Sequence, residues 1–435
     1  MSEITVHNTL SLQGVAEISS SKNAILPIMA ASVLTGGETE LLSVPNLEDV
    51  RHMSALLEEL GCKVLRQEHR LVIDSTNANA TDIVSDHAQK LRASFLLVGP
   101  MLSKFGEVSI NFPGGCNIGA RPVDLHINAF AQMGAEVNIQ SKRVSIKGKL
   151  KGCKIFLPFP SVGATENIIA AACMAEGQTI IQNAAIEPEI SDFANYLRCI
   201  GARVHGDGTR TISVEGVKNM RGASYRPIPD RIEAGTFLIA CAATGGDLLL
   251  YNTRCEHLGA LLIKLAQAGA EIRKYPNSVR ITCRRRLVGI DVTTMPYPGF
   301  PTDLLPQLMA FSSISQGVSA LTETVFESRF KHVEQLCALG ADITVQGRTA
   351  LISGKRYLTG TDVYATDLRA GAAMIIAGLC AQGETVIHNC EHIDRGYANI
   401  EQKFCALGAV VGRGREIALP ETELVSDTGH VLTHA

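Results

Sequence analysis

The sequence predicts an α/β protein built from six copies of one unit, grouped three and three into two pseudo-threefold domains. Three observations carry this. A helix, a glycine and a strand recur six times along 435 residues. Each copy is preceded by a second, more apolar helix that also ends in glycine and a strand. The length also exceeds what one hydrophobic core usually serves, which favours two domains of about two hundred residues.

The amphipathic helices read VRHMSALLEELGCKV from 50, VDLHINAFAQMGAEV from 123 and ISDFANYLRCIGARV from 190. CEHLGALLIKLAQAGAEI follows from 255, ESRFKHVEQLCALGADI from 327 and DRGYANIEQKFCALGAVV from 394. Their closing glycines are Gly61, Gly134, Gly201, Gly269, Gly340 and Gly408, at intervals of 73, 67, 68, 71 and 68 residues. Glycine suits that position because a helix commonly ends on one residue at positive φ before the chain turns away. The upstream partners, among them KNAILPIMAASVL, ATENIIAAACMA and DLRAGAAMIIAGLCA, are apolar on every face, so they belong inside the protein. Their closing glycines are expected at Gly37, Gly106, Gly177, Gly246, Gly317 and Gly383. Pro27, within the first of these helices, should kink it or move its start further on. The midpoint falls near 230, in SYRPIPDRIEAG.

Composition narrows the function. Charged residues make up 19% and apolar ones 46%, with a formal net charge of −3, so neither nucleic acid nor an anionic membrane has a general electrostatic claim on the surface. The first residues show no secretory pattern and no apolar run reaches membrane-spanning length, which points to a cytoplasmic location. Twelve cysteines without a CxxC pair read as reduced thiols. Cys173, Cys241 and Cys380, in Ala-rich stretches, and Cys62, Cys199, Cys337 and Cys405, near helix ends, read as small packing residues.

Polar residues cluster where the apolar helices begin: Lys22 and Asn23, Arg92, Thr165 and Glu166, Arg231 and Glu233, Asp303, and Asp367 with Arg369. If these helices point one way in each domain, their N-termini share a cleft that favours phosphates. Capping alone accounts equally well for any single one of them. The second unit adds the loop NFPGGCNIGARPVDLH, residues 111 to 126. Its Gly114 and Gly115 permit unusual backbone geometry, Gly119 allows close approach, and Arg121 can grip a phosphate in bidentate fashion. Cys116 sits in that glycine-rich, cationic setting, where thiols become reactive.

With that loop, the chain resembles the UDP-N-acetylglucosamine 1-carboxyvinyltransferases, the enolpyruvyl transferases of peptidoglycan synthesis within the EPSP synthase superfamily. SSSKNAILPIMAA, LRASFLLVGPML, PGGCNIGARPVDLH, PSVGATENI, RIEAGTFL, GFPTDLLPQ, TETVFESRF, ATDLRAGA and HIDRGY occur in the family's order along nearly the whole chain. The resemblance implies an inside-out α/β barrel of six βαβαββ units, with residues 22–230 as one domain and 1–21 plus 231–435 as the other. The N-terminal strand would join the second domain, and the cleft would close on substrate.

It further implies addition of the sugar 3-hydroxyl to C2 of phosphoenolpyruvate, protonation of C3 and loss of phosphate, without metal or organic cofactor. Cys116 would protonate C3, its loop serving as a lid and its thiol as the target of fosfomycin. Asp303 would take the hydroxyl proton, with Asp367 organising the closed site. Lys22, Arg121 and Arg395 would bind phosphoenolpyruvate, Arg369 would add positive charge, and Asn23 would fix the sugar. Arg92, Arg121, Pro122, Val123, Asp124, Leu125, Ser161, Val162, Gly163 and Val325 would hold UDP-N-acetylglucosamine. His126 and Arg329 stand as site supports, although Val123, Leu125, Val325 and His126 also suit plain packing. Phe159 departs from relatives that carry a lysine there able to reach the diphosphate.

The competing readings are an enolpyruvyl transferase for another uridine nucleotide or for shikimate 3-phosphate, and a silent repeat scaffold. Cys116 with RPVDLH argues against shikimate 3-phosphate. Lys22, Cys116, Asp303 and Arg395 together argue against a scaffold.

Overall fold

The computed structural model describes residues 3–114 and 123–414, so Gly115, Cys116, Gly119, Arg121 and Pro122 lie outside the described residues. The third unit shows the pattern of all six. Strand Lys154–Phe156 leads into the inner helix Val162–Ala172 and strand Gln178–Gln182, then the outer helix Pro188–Cys199 and the strands Arg203–His205 and Thr211–Glu215. The first two strands pair in parallel, Lys154 opposite Ile180. The second pairs antiparallel with the fourth, Gln178 opposite Glu215, and the third closes the outer edge. The same order recurs in the other five four-stranded sheets among the described residues.

Two units borrow strands from the chain's beginning. Leu12–Glu17 runs parallel to Gly246–Tyr251 as first strand of the fourth sheet, and Ile4–His7 lies between Glu384–His388 and Val411–Arg413 in the sixth. The N-terminal segment thus supplies two strands where one was expected. In the first sheet, Ser224–Tyr225 returns to pair with Glu38–Leu41.

Burial follows the two helix types. The inner helix Leu368–Leu379 is buried at every residue and Leu305–Ser312 likewise. Outer helices such as Glu48–Glu59 bury only one stripe, as an amphipathic pattern requires. The strands alternate, with Ile181 and Val214 inward and Gln178 and Glu215 outward. Helices therefore lie inside and sheets outside. The buried apolar side chains form two clusters, one from residues 25 to 214 and one from residues 4 to 18 and 232 to 411. Where the chain passes between them the two connections run side by side: Ser21 N–H donates to Ile228 O at 2.7 Å and Asp230 N–H to Ser19 O at 2.8 Å.

The six closing glycines of the outer helices all take positive φ, from 89° at Gly408 to 107° at Gly201. In the first inner helix the left-handed residue is Gly36, φ 58°, and not Gly37. That helix begins at Lys22 despite Pro27. Its first turn is held by Ala24 and Ile25 N–H groups on Ser21 O, and it tightens to 3₁₀ geometry at Ser32–Thr35.

Cys62 is buried as expected, but Cys199, Cys337 and Cys405 are exposed. The helical period explains the difference. Each of the three lies between inward-facing neighbours, such as Leu197 and Ile200 or Phe404 and Leu407, and so points outward. Among the described residues no helix is long and apolar enough to span a membrane.

Candidate active site

The N-terminal ends of all six inner helices contribute to one cleft with a cavity volume of about 600 Å³. Lys22 and Asn23 open the first helix, Arg92 opens the 3₁₀ turn before the second, and Ser161 caps the third, accepting from Ala164 N–H at 3.3 Å. Arg231, Asp303 and Arg369 begin the other three. The converging N-termini bring their positive dipole ends to the cleft.

Two ionic clusters organise its walls. In the first, the carboxylate of Asp49 is 2% exposed and receives Lys22 Nζ on Oδ2 at 3.1 Å and Arg395 Nε on Oδ1 at 2.8 Å. Burial alone would push the Asp49 pKa up, but Lys22 and Arg395 outweigh it and hold it below the ordinary carboxylate value. In the second, Asp303 accepts from Arg369 Nη2 at 3.0 Å and from Arg329 Nη2 at 3.2 Å. Both arginine side chains are nearly inaccessible, whereas Asp303 keeps 28% exposure toward the cleft. Four cations thus face two carboxylates, leaving an excess of positive charge suited to a multiply charged anion.

Thirteen of the expected site residues line this cleft. Besides those on the helix starts and Arg395, they are Val123, Asp124 and Leu125, then Val162 and Gly163, and Val325. Asp367 does not. Its Oδ1 caps the sixth inner helix, accepting from Arg369 and Ala370 N–H at 2.8 and 3.0 Å, so it orients Arg369 from behind. Pro113 and Val123, which flank the undescribed segment holding Cys116, Arg121 and Pro122, both line the cleft. Gly114 is required by close approach, since a Cβ there would lie 2.0 Å from Gln89 O.

Arg329 is a direct support of Asp303. His126, on the outer helix Asp124–Gln132, receives Asn167 Nδ2 on Nδ1 at 2.9 Å, which leaves the proton on Nε2, beside Gly163. Burial, then the charge of Arg92, lowers the His126 pKa to about 3, so it is a neutral donor. Phe159 is 43% exposed and lines the cleft as an apolar wall. Thr165 and Glu233 serve structure: Thr165 Oγ1 accepts from Ala185 N–H, and Glu233 accepts from Ser19 N–H and Lys403.

Asp49, Glu187, Glu189 and Glu323 escaped the sequence reading. Asp49 looks like an ordinary acid in a helix's first turn. Glu323 is 1% exposed and gathers four donors, the N–H groups of Val325 and Phe326 and the hydroxyls of Thr294 and Thr302, which ties the backbone at Val325 to the residue preceding Asp303. Glu189 accepts from Arg231 Nε at 2.9 Å across the two cores. Little in their local sequence marks these four, because apart from the Val325 and Phe326 N–H groups on Glu323 their partners lie 21 to 346 residues away. Among the described residues no group of three or more His, Cys, Asp or Glu side chains converges to hold a metal ion.

The sequence pattern of EPSP synthase (3-phosphoshikimate 1-carboxyvinyltransferase) matches residues 6–404. UDP-N-acetylglucosamine 1-carboxyvinyltransferase 1 of Caldanaerobacter subterraneus subsp. tengcongensis is 46% identical over 414 residues, covering 94% of this chain and 99% of its own length. UDP-N-acetylglucosamine 1-carboxyvinyltransferase 2 of Clostridium tetani is 47% identical over 416 residues, covering 95% and 100%. Among solved structures, the enolpyruvyl transferase NikO of Streptomyces tendae superposes with a TM-score of 0.86 at 20% identity, over 95% of this chain and 99% of that one. EPSP synthase of Acinetobacter baumannii follows at 0.74 and 19%, over 95% and 100%.

Proposed function

The chain belongs to the EPSP synthase family, and from that premise we propose that it transfers the enolpyruvyl group of phosphoenolpyruvate to the 3-hydroxyl of UDP-N-acetylglucosamine, releasing phosphate. This is the first step of peptidoglycan synthesis. The observation that carries the reading is the meeting of Lys22, Asp303, Arg369 and Arg395 in one cleft at the helix N-termini.

The reaction starts with a substrate bearing a phosphate and a carboxylate, and charge builds further as the hydroxyl loses its proton. Lys22 and Arg395, preorganised by Asp49, bind the anionic groups, with Arg121 as a third contact. Asp303 takes the proton from the attacking hydroxyl as the C–O bond to C2 forms. Transfer accompanies bond formation, when the hydroxyl is most acidic. Cys116 delivers a proton to C3. Elimination then removes the C3 proton and phosphate leaves, restoring the double bond in the product ether. Arg369 and Arg329 stabilise the charge that develops, without reorganising.

The nucleotide lies along the first-core wall, against Arg92, Pro122 to Leu125 and the start of the third inner helix at Ser161 to Gly163. Asn23 and Val325 fix the sugar. The absence of a lysine at Phe159 puts more of the diphosphate's charge on Arg92, Arg121 and the helix end. We read the two cores as two domains, 22–230 and 1–21 with 231–435, closing on substrate. Both substrates are phosphorylated solutes that do not cross a bilayer unaided, which favours the cytoplasm as the site of reaction.

Phosphate release from phosphoenolpyruvate, measured with UDP-N-acetylglucosamine and then with shikimate 3-phosphate or other uridine nucleotides, tests this. Turnover only with UDP-N-acetylglucosamine is the expected result. Turnover confined to another acceptor would overturn it.

A further inference from the structure

Glu166 stands in the second turn of the third inner helix, 3% exposed, and its Oε1 has no hydrogen-bond partner among the described residues. A buried polar atom left in that state is costly and calls for a reason. Glu166 borders the cleft together with Glu187, Glu189 and Arg231. Arg231 is committed to Glu189, and Glu187 accepts from Tyr297 N–H at 3.3 Å. Burial, then Glu189 and Glu187, raises the Glu166 pKa well above the ordinary value. A neutral carboxyl can both donate and accept a hydrogen bond.

This corner is therefore the opposite in character of the Lys22 and Arg395 wall. Three carboxyl groups and a guanidinium already paired with one of them leave phosphate or carboxylate no free cation to bind here, and they suit a neutral group rich in hydroxyls. The substrates assigned above contain one such group, the N-acetylglucosamine ring.

We propose that Glu166 is a specificity-determining contact for the acceptor, its unpartnered carboxyl oxygen hydrogen-bonding to a hydroxyl or amide N–H of the sugar. This rests on the acceptor proposed above. The first consequence is discrimination: an acceptor without the matching group leaves Glu166 buried and unpaired, a larger penalty than the loss of one contact in water. The second is that phosphoenolpyruvate binding stays independent of Glu166.

Steady-state phosphate release by the full chain, varying each substrate with the other saturating, reads the contact to the acceptor and its independence from phosphoenolpyruvate. Glu166→Ala is expected to raise the KM for UDP-N-acetylglucosamine by about tenfold, the scale of one hydrogen bond, while the KM for phosphoenolpyruvate moves less than about twofold. Glu166→Gln keeps the shape with a donor and an acceptor and is expected to restore most of the loss. If the alanine variant does not fold, Glu166→Leu, which refills the volume, takes its place with the same expectation. An unchanged acceptor KM in the alanine or leucine variant overturns the proposal, as does an equal rise in both KM values or a fall in kcat alone. Wild-type protein without turnover on UDP-N-acetylglucosamine would instead remove the functional reading itself.

Discussion

Replacing Asp49 by asparagine isolates the charge that ties the two cores together at the cleft. The wild-type carboxylate is 2% exposed and holds Lys22 at 3.1 Å and Arg395 at 2.8 Å, both with side chains little more than a tenth exposed. Removing one member of a buried ion pair costs roughly 3–5 kcal/mol, because the partner stays buried without compensation. The residual exposure of both cations lets water relieve part of that cost, so the low end, about 3 kcal/mol, applies. For a cooperative unit of this size that is a fall in Tm of roughly 6–12 °C. Phosphoenolpyruvate or inorganic phosphate should recover more stability in the variant than in the wild type, since the anion supplies the charge that the asparagine lacks. The pH dependence has a definite sign. The Asp49 pKa is lowered in the folded state, so its contribution is complete above the unfolded value near 3.8 and is lost as pH falls through the lower folded value. Thermal scans with and without phosphate measure these effects. A variant within about 2 °C of wild type, or equal stabilisation of both proteins by phosphate, would refute the assignment of Asp49 as the buried counter-ion.

Asp303→Asn should lower kcat by about 10²–10⁴ with the fold retained, the range expected for losing a general base; stopped assays with circular dichroism as the fold check decide it, and full activity would remove that role. Cys116→Ala should likewise abolish most turnover. Fosfomycin should label Cys116 in preference to the exposed Cys199, Cys337 and Cys405, which a generic thiol reagent would modify as well; mass spectrometry of the labelled peptides separates these outcomes. His126, with its pKa lowered to about 3, binds protons in the unfolded chain between there and 6.5 but not in the folded one. Stability should consequently fall as pH drops below 6.5, and His126→Gln should flatten that slope in urea titrations; an unaltered slope would count against a neutral buried imidazole.

Much of the architecture was legible from residue pattern because it is local. The six closing glycines announce their left-handed turns, and the all-apolar helices announce their burial. Departures arose where longer range decided the outcome. Cys199, Cys337 and Cys405 share apolar surroundings in sequence, yet the helical period turns them outward. Pro27 reads as a kink or a later start, yet the helix already begins at Lys22, its first turn held on Ser21 O.

The candidate site divides along the same line. Sequence alone determined which polar groups stand at the starts of apolar helices, since a charge is costly there unless it faces a cavity, and thirteen of the expected site residues do line the cleft. It also determined the repeated unit that brings those starts to corresponding places. Tertiary structure alone decided which charges meet. Arg395 finds Asp49 from 346 residues away, Arg231 finds Glu189 across the two cores, and Glu166 is left beside two further carboxyl groups with an oxygen that has no partner among the described residues. A carboxylate's chemistry depends on the cations and burial around it, and those neighbours come from every part of the chain.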